Sequence, residues 1–463
     1  MNRRCALCLT ALMLLAGAAG CRTNPVTGRG ELMFVSPDNE LALGHRAHPD
    51  VMFMYDGEYH DPDLNVYLGT IVLRLHATSH RADMPVDFTI LNTSAVNAFA
   101  LPGHVYATRG FLAKLENEAQ FAAVMGHELA HVAAGHSAQR LTQGMLTQVV
   151  VGVADVAAGD SLAGRLAVGA GQIGVGVLGL SYSREQERQA DRVGTYYMAL
   201  AGWDPREALS MQRLLASLGS DRKSVLDRYL ATHPEAPDRL RETQGVIEEK
   251  KLDGRYVQGD GIYAARWRRR LRRLQQVNEA FEPHDRGRKL LKEGRAAEAL
   301  AAAEEALAMR TDQAPFHVLR GDALLKLGRA EAARKAYEGA RRVDPRYVPA
   351  NTGLGLVHFA MERYAEAERQ FAVAARGFPS GAVAWFGLGA ARYHLGRYAE
   401  ALPALEKVAS ANPNVALLQY MMAVCYEQAG RRRAAYDSYV RALQSGLGGS
   451  EAQAAFQRAR ALR

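Results

Sequence analysis

The chain has 463 residues, of which 48% are hydrophobic and 23% charged. That length fits two or three domains, and that apolar share allows real cores. The formal net charge of +8 is modest, and much of it gathers in one short basic stretch with no nucleic-acid motif beside it, so no nucleic-acid partner is expected.

The N-terminus, residues 1–20, places Arg3 and Arg4 before an apolar run and then small residues. It reads as a secretory signal, too short to span a membrane. Ala18-Ala19-Gly20-Cys21 resembles a bacterial lipobox, with Ala where Leu is commoner. Cleavage before Cys21 and acylation there would anchor the chain to a membrane. Arg22 beside it favours sorting to the outer membrane, facing the periplasm, by resemblance to other lipoproteins. A secreted soluble chain is the alternative. Cys5 and Cys8 leave with the signal, so Cys425 has no disulfide partner and is expected in a helix core.

The stretch "MGHELAHVAAGH" (125–136) lies in a run without proline from Phe111 to Ala138 and is predicted helical. His127 and His131, four apart, leave one face about 40° from being in line. Glu128 is offset by roughly 100°, within reach of a metal-held water. That is the H-E-x-x-H arrangement of two neutral imidazoles and a general base. On a straight helix His136 would lie roughly 180° from His127, facing away, which leaves it a polar residue or one that supports a ligand, outside the ligand set itself.

Residues 145–180 are rich in glycine and valine, and 166–183 carry no charge. They are read as a buried or membrane-facing hairpin, a mobile lid being one form of it, with a membrane span as the alternative. Next, "SYSREQERQADRVG" (181–194) offers a helix face with Glu187 and Asp191, four apart. Glu187 would complete a His/His/Glu set with one position left for water.

"ARWRRRLRRL" (265–274) reads as a basic linker helix with Trp267 and Leu271 beside the charge; docking on anionic lipid or on the protein itself is the alternative. From 280 to 449 the chain repeats. Ala299, Ala333, Ala367, Ala401 and Ala435 fall thirty-four residues apart, as do Gly287, Gly321, Gly355 and Gly389, and Pro345, Pro379 and Pro413. That period is the tetratricopeptide signature. About five units are expected, with 450–463 as a capping helix.

HELAH followed by S-R-x-x-E-x-x-A-D resembles the gluzincin zinc metallopeptidases that include HtpX, the CAAX prenyl protease and the β-barrel assembly-enhancing protease. "NAFALPGHVYATRGFL" (97–112), "GWDPREALSMQRLL" (202–215) and "ATHPEAPDRL" (231–240) resemble further segments of that family, and "NPVTGRGELMFVS" resembles the start of its lipoprotein members. The resemblance implies one zinc ion per chain, held by His127, His131 and Glu187, with Glu128 as base and acid in peptide hydrolysis. It gives Asp191 a supporting role on an imidazole, His233 a place as a fourth ligand holding the enzyme latent, and Arg239 a place steadying the oxyanion. It makes Asn97, Ala98, Phe99 and Ala100 the strand that pairs with substrate. The family's P-G-G turn here reads Pro102-Gly103-His104, and His104 is taken as a turn residue rather than a control on access.

The expected fold is mainly α: an α+β zinc metallopeptidase domain with a small β-sheet (21–250), a basic linker helix (251–279), then an all-α tetratricopeptide repeat solenoid. The expected function is a zinc endopeptidase of the bacterial envelope. Its substrates would be misfolded or stalled envelope proteins recruited by the repeats, whose groove docks a protein partner, outer-membrane assembly machinery among the options. The competing reading is a chaperone-like repeat scaffold whose peptidase site His233 keeps shut.

Overall fold

A computed structural model describes residues 21–143, 181–219, 229, 233, 238–252 and 254–463. The signal (1–20), the apolar stretch 145–180 and most of 231–237 lie outside the described residues. The chain divides into two compact units, Met1–Asn278 and Glu279–Arg463. Among the described residues no helix is long and apolar enough to cross a membrane.

The first unit opens with a two-stranded antiparallel ribbon, β1 (Cys21–Thr23) and β2 (Gly30–Leu32). Helices α1 (Pro37–Met54) and α2 (Pro62–His76) start where sequence rules say they should, with Ser36 and Asp61 accepting from the backbone N–H groups of Asn39 and Leu64. A three-stranded sheet follows in the order β3 (Asp87–Leu91), β5 (His104–Thr108), β4 (Ala98–Leu101). β5 is central and buried along its whole length, parallel to β3 and antiparallel to β4. β4 is therefore an edge strand. The β4–β5 turn needs Gly103, whose φ of +88° suits glycine and whose absent Cβ would strike Leu41 at 2.6 Å.

After a single turn of helix, α3 (Arg109–Leu112), comes α4 (Glu118–Ala133), capped by Asn117. All of α4 is buried, so it runs through the core rather than over it. It crosses α5 (Arg184–Leu200), whose N-terminus is fixed by a capping box between Ser183 and Gln186. The crossing is made at Gly126 and Gly194, where backbone meets backbone: a Cβ on Gly194 would lie 2.5 Å from the His127 nitrogen. Helices α6 (Arg206–Gly219) and α7 (Arg239–Glu249) complete the bundle.

Helix α8 (Ala264–Lys292) runs through the division between the units. In its first half Trp267, Leu271 and Leu274 are buried while Arg268, Arg269 and Arg272 face solvent, so the basic stretch docks on the first unit, the alternative to the linker helix expected. Trp267 donates to the Leu115 carbonyl at 2.9 Å. Arg266 closes over the buried Glu118 carboxylate, which also receives Trp203 Nε1 at 3.0 Å.

The second unit is a ladder of helix pairs. The end of α8 pairs with α9 (Ala296–Met309), and then come α10 (Ala314–Lys326) with α11 (Ala330–Val343), α12 (Val348–Ala360) with α13 (Tyr364–Gly377), α14 (Ala382–His394) with α15 (Tyr398–Ala411), and α16 (Ala416–Gln428) with α17 (Arg432–Gln444). Helix α18 (Gly449–Leu462) covers the last pair. Small residues let the helices close on large ones: Gly321 and Gly353 both press on the Tyr337 ring, Gly355 and Gly387 on Phe371. One position hides a regularity. His317, Asn351, Trp385 and Gln419 stand thirty-four apart, and each donates a side-chain N–H to the carbonyl six residues before it, at Thr311, Pro345, Pro379 and Pro413 respectively. Trp385 is half-buried, packed against the cores of neighbouring repeats, and also tied to its own loop. Cys425 is buried as expected, and burial pushes its thiol up to about 12.

Candidate metal centre

A helix buried all round must find partners inside the protein for every polar group it carries. Near its C-terminal end α4 carries His127, Glu128 and His131. The Nε2 atoms of His127 and His131 face each other at 3.0 Å. From α5, Glu187 brings Oε1 to 3.3 Å from His131 Nε2 and Oε2 to 3.6 Å from His127 Nε2. His233 adds Nδ1, 3.0 Å from Glu187 Oε1 and 3.4 Å from His127 Nε2. One ligand atom from each of these four buried residues lies within 4.8 Å of every other.

The arrangement fits a zinc ion on grounds of its own. Glu128 Oε1 and His233 Nε2 are buried with no hydrogen-bond partner, and Glu187 Oε2 has an ion pair with Arg239 but no hydrogen bond, a costly state for acceptors that a cation would relieve. Nitrogen and carboxylate donors in a set of three or four are what zinc prefers.

Around these residues lies a supporting ring. His127 Nδ1 donates to Asp191 Oδ1 at 2.9 Å, fixing which nitrogen is left for the metal. Arg239 grips Asp191 through Nε and Nη2 at 2.6 and 2.7 Å, and its Nη1 sits 3.2 Å from Glu187 Oε2. All three guanidinium nitrogens of Arg239 are thus engaged by carboxylates that surround the ligands. The Tyr182 ring stacks on His131 at 3.7 Å, with the Arg140 guanidinium 3.7 Å from the Tyr182 ring centre.

The direction expected for His136 is corrected, though not its place outside the ligand set. The helix ends at Ala133, and Gly135 takes φ of +68°, so the chain turns and His136 does not face away. Its Nδ1 lies 2.7 Å from His131 Nδ1, and burial pushes it down to about 4. A glycine just past a helical run is a stop signal the sequence did contain.

Electrostatics follow burial. Burial pushes the Glu128 carboxyl above its ordinary value, against the pull of His233 and His127. Burial opposes charge on Glu187 too, but His233, His131 and His127 hold its carboxyl well below the ordinary range. Burial likewise drives His131 well below the usual imidazole range.

The edge strand runs alongside. Ala98 and Ala100 are buried, and the Ala100 backbone hydrogen-bonds Glu128. Phe99 points the other way, against Tyr106 and Tyr55, and Asn97 donates to the Tyr55 hydroxyl at 2.9 Å. His104 opens β5 as a buried residue, bonded to His45 at 2.8 Å and stacked on His48, more than the turn residue expected. Cys21 is exposed on β1.

A buried H-E-x-x-H helix crossed by a second helix that supplies a glutamate defines a zinc metallopeptidase of the gluzincin kind. The profile of peptidase family M48 matches residues 62–247, and tetratricopeptide repeat profiles match 290–347, 352–416 and 392–457. The chain belongs to peptidase family M48, a zinc-dependent metallopeptidase family. It is similar to the mitochondrial metalloendopeptidase OMA1 of Schizosaccharomyces pombe, 30% identical over 234 residues, 49% of this chain and 67% of that protein. It is also similar to the β-barrel assembly-enhancing protease of Yersinia pestis, 28% identical over 273 residues, 52% of this chain and 53% of that protein. Of the OMA1 of Arabidopsis thaliana it spans 36%, so the curated relatives are matched over about a third to two thirds of their length. Among solved structures, YrrB, titled a TPR protein with an unusual peptide-binding site, is 20% identical with a TM-score of 0.35, covering 39% of this chain and 97% of that one.

Proposed function

We propose that this protein is a zinc endopeptidase of the bacterial cell envelope, acting on misfolded or stalled envelope proteins. The observation that carries the reading is the convergence of His127, His131 and Glu187 with Glu128 in one buried site beside β4, an edge strand among the described residues. His127, His131 and Glu187 hold the metal. Bound zinc supplies Lewis acidity, making water more acidic and a carbonyl more electrophilic. Glu128, its carboxyl pushed up by burial, takes a proton from the attacking water and hands it to the leaving amine. Asp191, steadied by Arg239, keeps the His127 ring in register. Residues 97–100 hydrogen-bond the substrate backbone as an added strand.

The repeats deliver substrate, since a solenoid groove binds peptides and carries no chemistry of its own. Acylation at Cys21 anchors the chain to the outer membrane, with the body in the periplasm. The relative named a β-barrel assembly-enhancing protease supports substrates of the outer-membrane class.

One observation favours a second, regulatory reading. His233 sits among the ligands, with Nδ1 on Glu187 and Nε2 3.5 Å from Glu128. On this reading it takes the place a substrate carbonyl would need, which would keep the enzyme latent and leave the repeats to act as a scaffold meanwhile. The test is degradation of casein by the mature chain lacking lipid, with Glu128→Gln as blank. Latency predicts an idle wild type and an active His233→Ala. Equal cutting by both makes it a constitutive protease, and no cutting above the blank with zinc bound overturns the peptidase reading.

A further inference from the structure

The reading above leaves one histidine that touches a proposed ligand without a task. His136 is fully buried, two residues beyond the Ala134 cap of α4. One of its nitrogens, Nδ1, faces His131 Nδ1 at 2.7 Å; the other, Nε2, faces Gln189 Oε1 at 2.8 Å. Gln189 stands on α5, between Glu187 and Asp191.

These contacts determine where each proton sits. An amide oxygen can only accept, so His136 must carry its hydrogen on Nε2. A neutral imidazole has a single N–H, and among the described residues no carboxylate is hydrogen-bonded to His136 to favour a second. Its Nδ1 is therefore a lone pair, and the hydrogen between the two rings belongs to His131 Nδ1. His131 Nε2 is then bare and aimed at the space it shares with His127 Nε2 and Glu187. Tyr182, stacked on His131 at 3.7 Å and 20°, fixes the ring plane but cannot choose the tautomer, because stacking treats both nitrogens alike.

We infer that His136, oriented by the Gln189 carbonyl, is the positioning residue that sets the tautomer of His131 and presents its Nε2 to the metal. The two metal-facing imidazoles are thus anchored differently. His127 leans on a carboxylate clamped by Arg239, while His131 leans on a neutral chain of one imidazole and one amide. This inference rests on the zinc reading of the site and says nothing new about the substrate.

The test measures zinc affinity of the full chain by competition with a chromophoric chelator, so no proteolysis is involved. His136→Phe keeps the volume and removes the acceptor; Gln189→Leu removes the orienting oxygen from a half-buried position on another helix. Loss of a partner to a ligating histidine lowers metal affinity by about 10- to 100-fold. That loss is expected for both, with apo-protein melting unchanged in Gln189→Leu. Nitrogen-15 spectra of histidine-labelled zinc protein should show His131 protonated at Nδ1. Affinities of both variants within twofold of wild type overturn the inference, as do spectra showing wild-type His131 without a proton at Nδ1. His131→Ala is the control for the site itself: if it binds zinc like wild type, the zinc reading fails and takes the inference with it.

Discussion

Replacing Gly194 by alanine should disable the metal centre without touching any residue in it. The added Cβ would lie 2.5 Å from the His127 nitrogen and 2.7 Å from both the Gly126 carbonyl carbon and His127 Cα. Non-bonded carbons settle near 3.5–4.0 Å, so α4 and α5 must separate by about 1 Å. The obstructing atoms are backbone, and no rotamer change can relieve them. Overpacking of this kind costs about 1–3 kcal/mol, or about 2–12 °C in melting temperature for a domain of this size. Glu187 and Asp191 ride on α5 and would withdraw from His127 and His131. A 1 Å misplacement near reacting groups costs about 100-fold in rate. Calorimetry, chelator competition and casein cleavage at saturating zinc read the three consequences. Gly245→Ala in α7 is the control, because its Cβ would meet nothing within 4 Å and should leave stability equal or higher. Wild-type melting and cleavage in Gly194→Ala would refute the view that the glycine crossing sets the ligand geometry.

Three further outcomes are expected. Asp191→Asn should lower zinc affinity by about 10- to 100-fold, read by the same chelator titration, because the amide holds His127 Nδ1–H less firmly and leaves Arg239 short of a charge. Trp385→Phe should cost the repeat unit about 1 kcal/mol in denaturant unfolding, the value of one hydrogen bond, since the Pro379 carbonyl loses its donor. Burial, then His48 and His45, push His104 down to about 4, with Asp87 opposing. Below its unfolded value near 6.5 the unfolded chain binds a proton that the folded chain refuses, so stability falls as pH drops from about 6.5 to 4. Comparing urea midpoints at pH 7 and pH 5, His104→Gln should lose less than wild type.

Much of the metal centre could be read from spacing, because i, i+4 pairs share a helix face whatever surrounds them. That argument covers His127 with His131 and Glu187 with Asp191. It fails where the helix stops: extrapolating α4 past Gly135 turned His136 the wrong way. It also fails for Arg239, since nothing local says that a guanidinium distant in sequence will be taken up by two carboxylates. The Gly126–Gly194 contact joins two helices separated by the apolar stretch, and each glycine alone looks like a weak spot in a helix. The repeats were legible from the thirty-four-residue period of their small residues. Their shared tie was not, because histidine, asparagine, tryptophan and glutamine look unrelated until their N–H groups are followed to the carbonyls.

Those four ties have a mechanical meaning. Each joins the first turns of a helix pair to the loop that delivers it, within six residues of chain. The entry of each helix pair is therefore pinned from within its own repeat, while rings such as Tyr337 and Phe371, shared by consecutive pairs, set how one coil lies on the next. The curvature of such a spring is thus divided between the links and the contacts that join them.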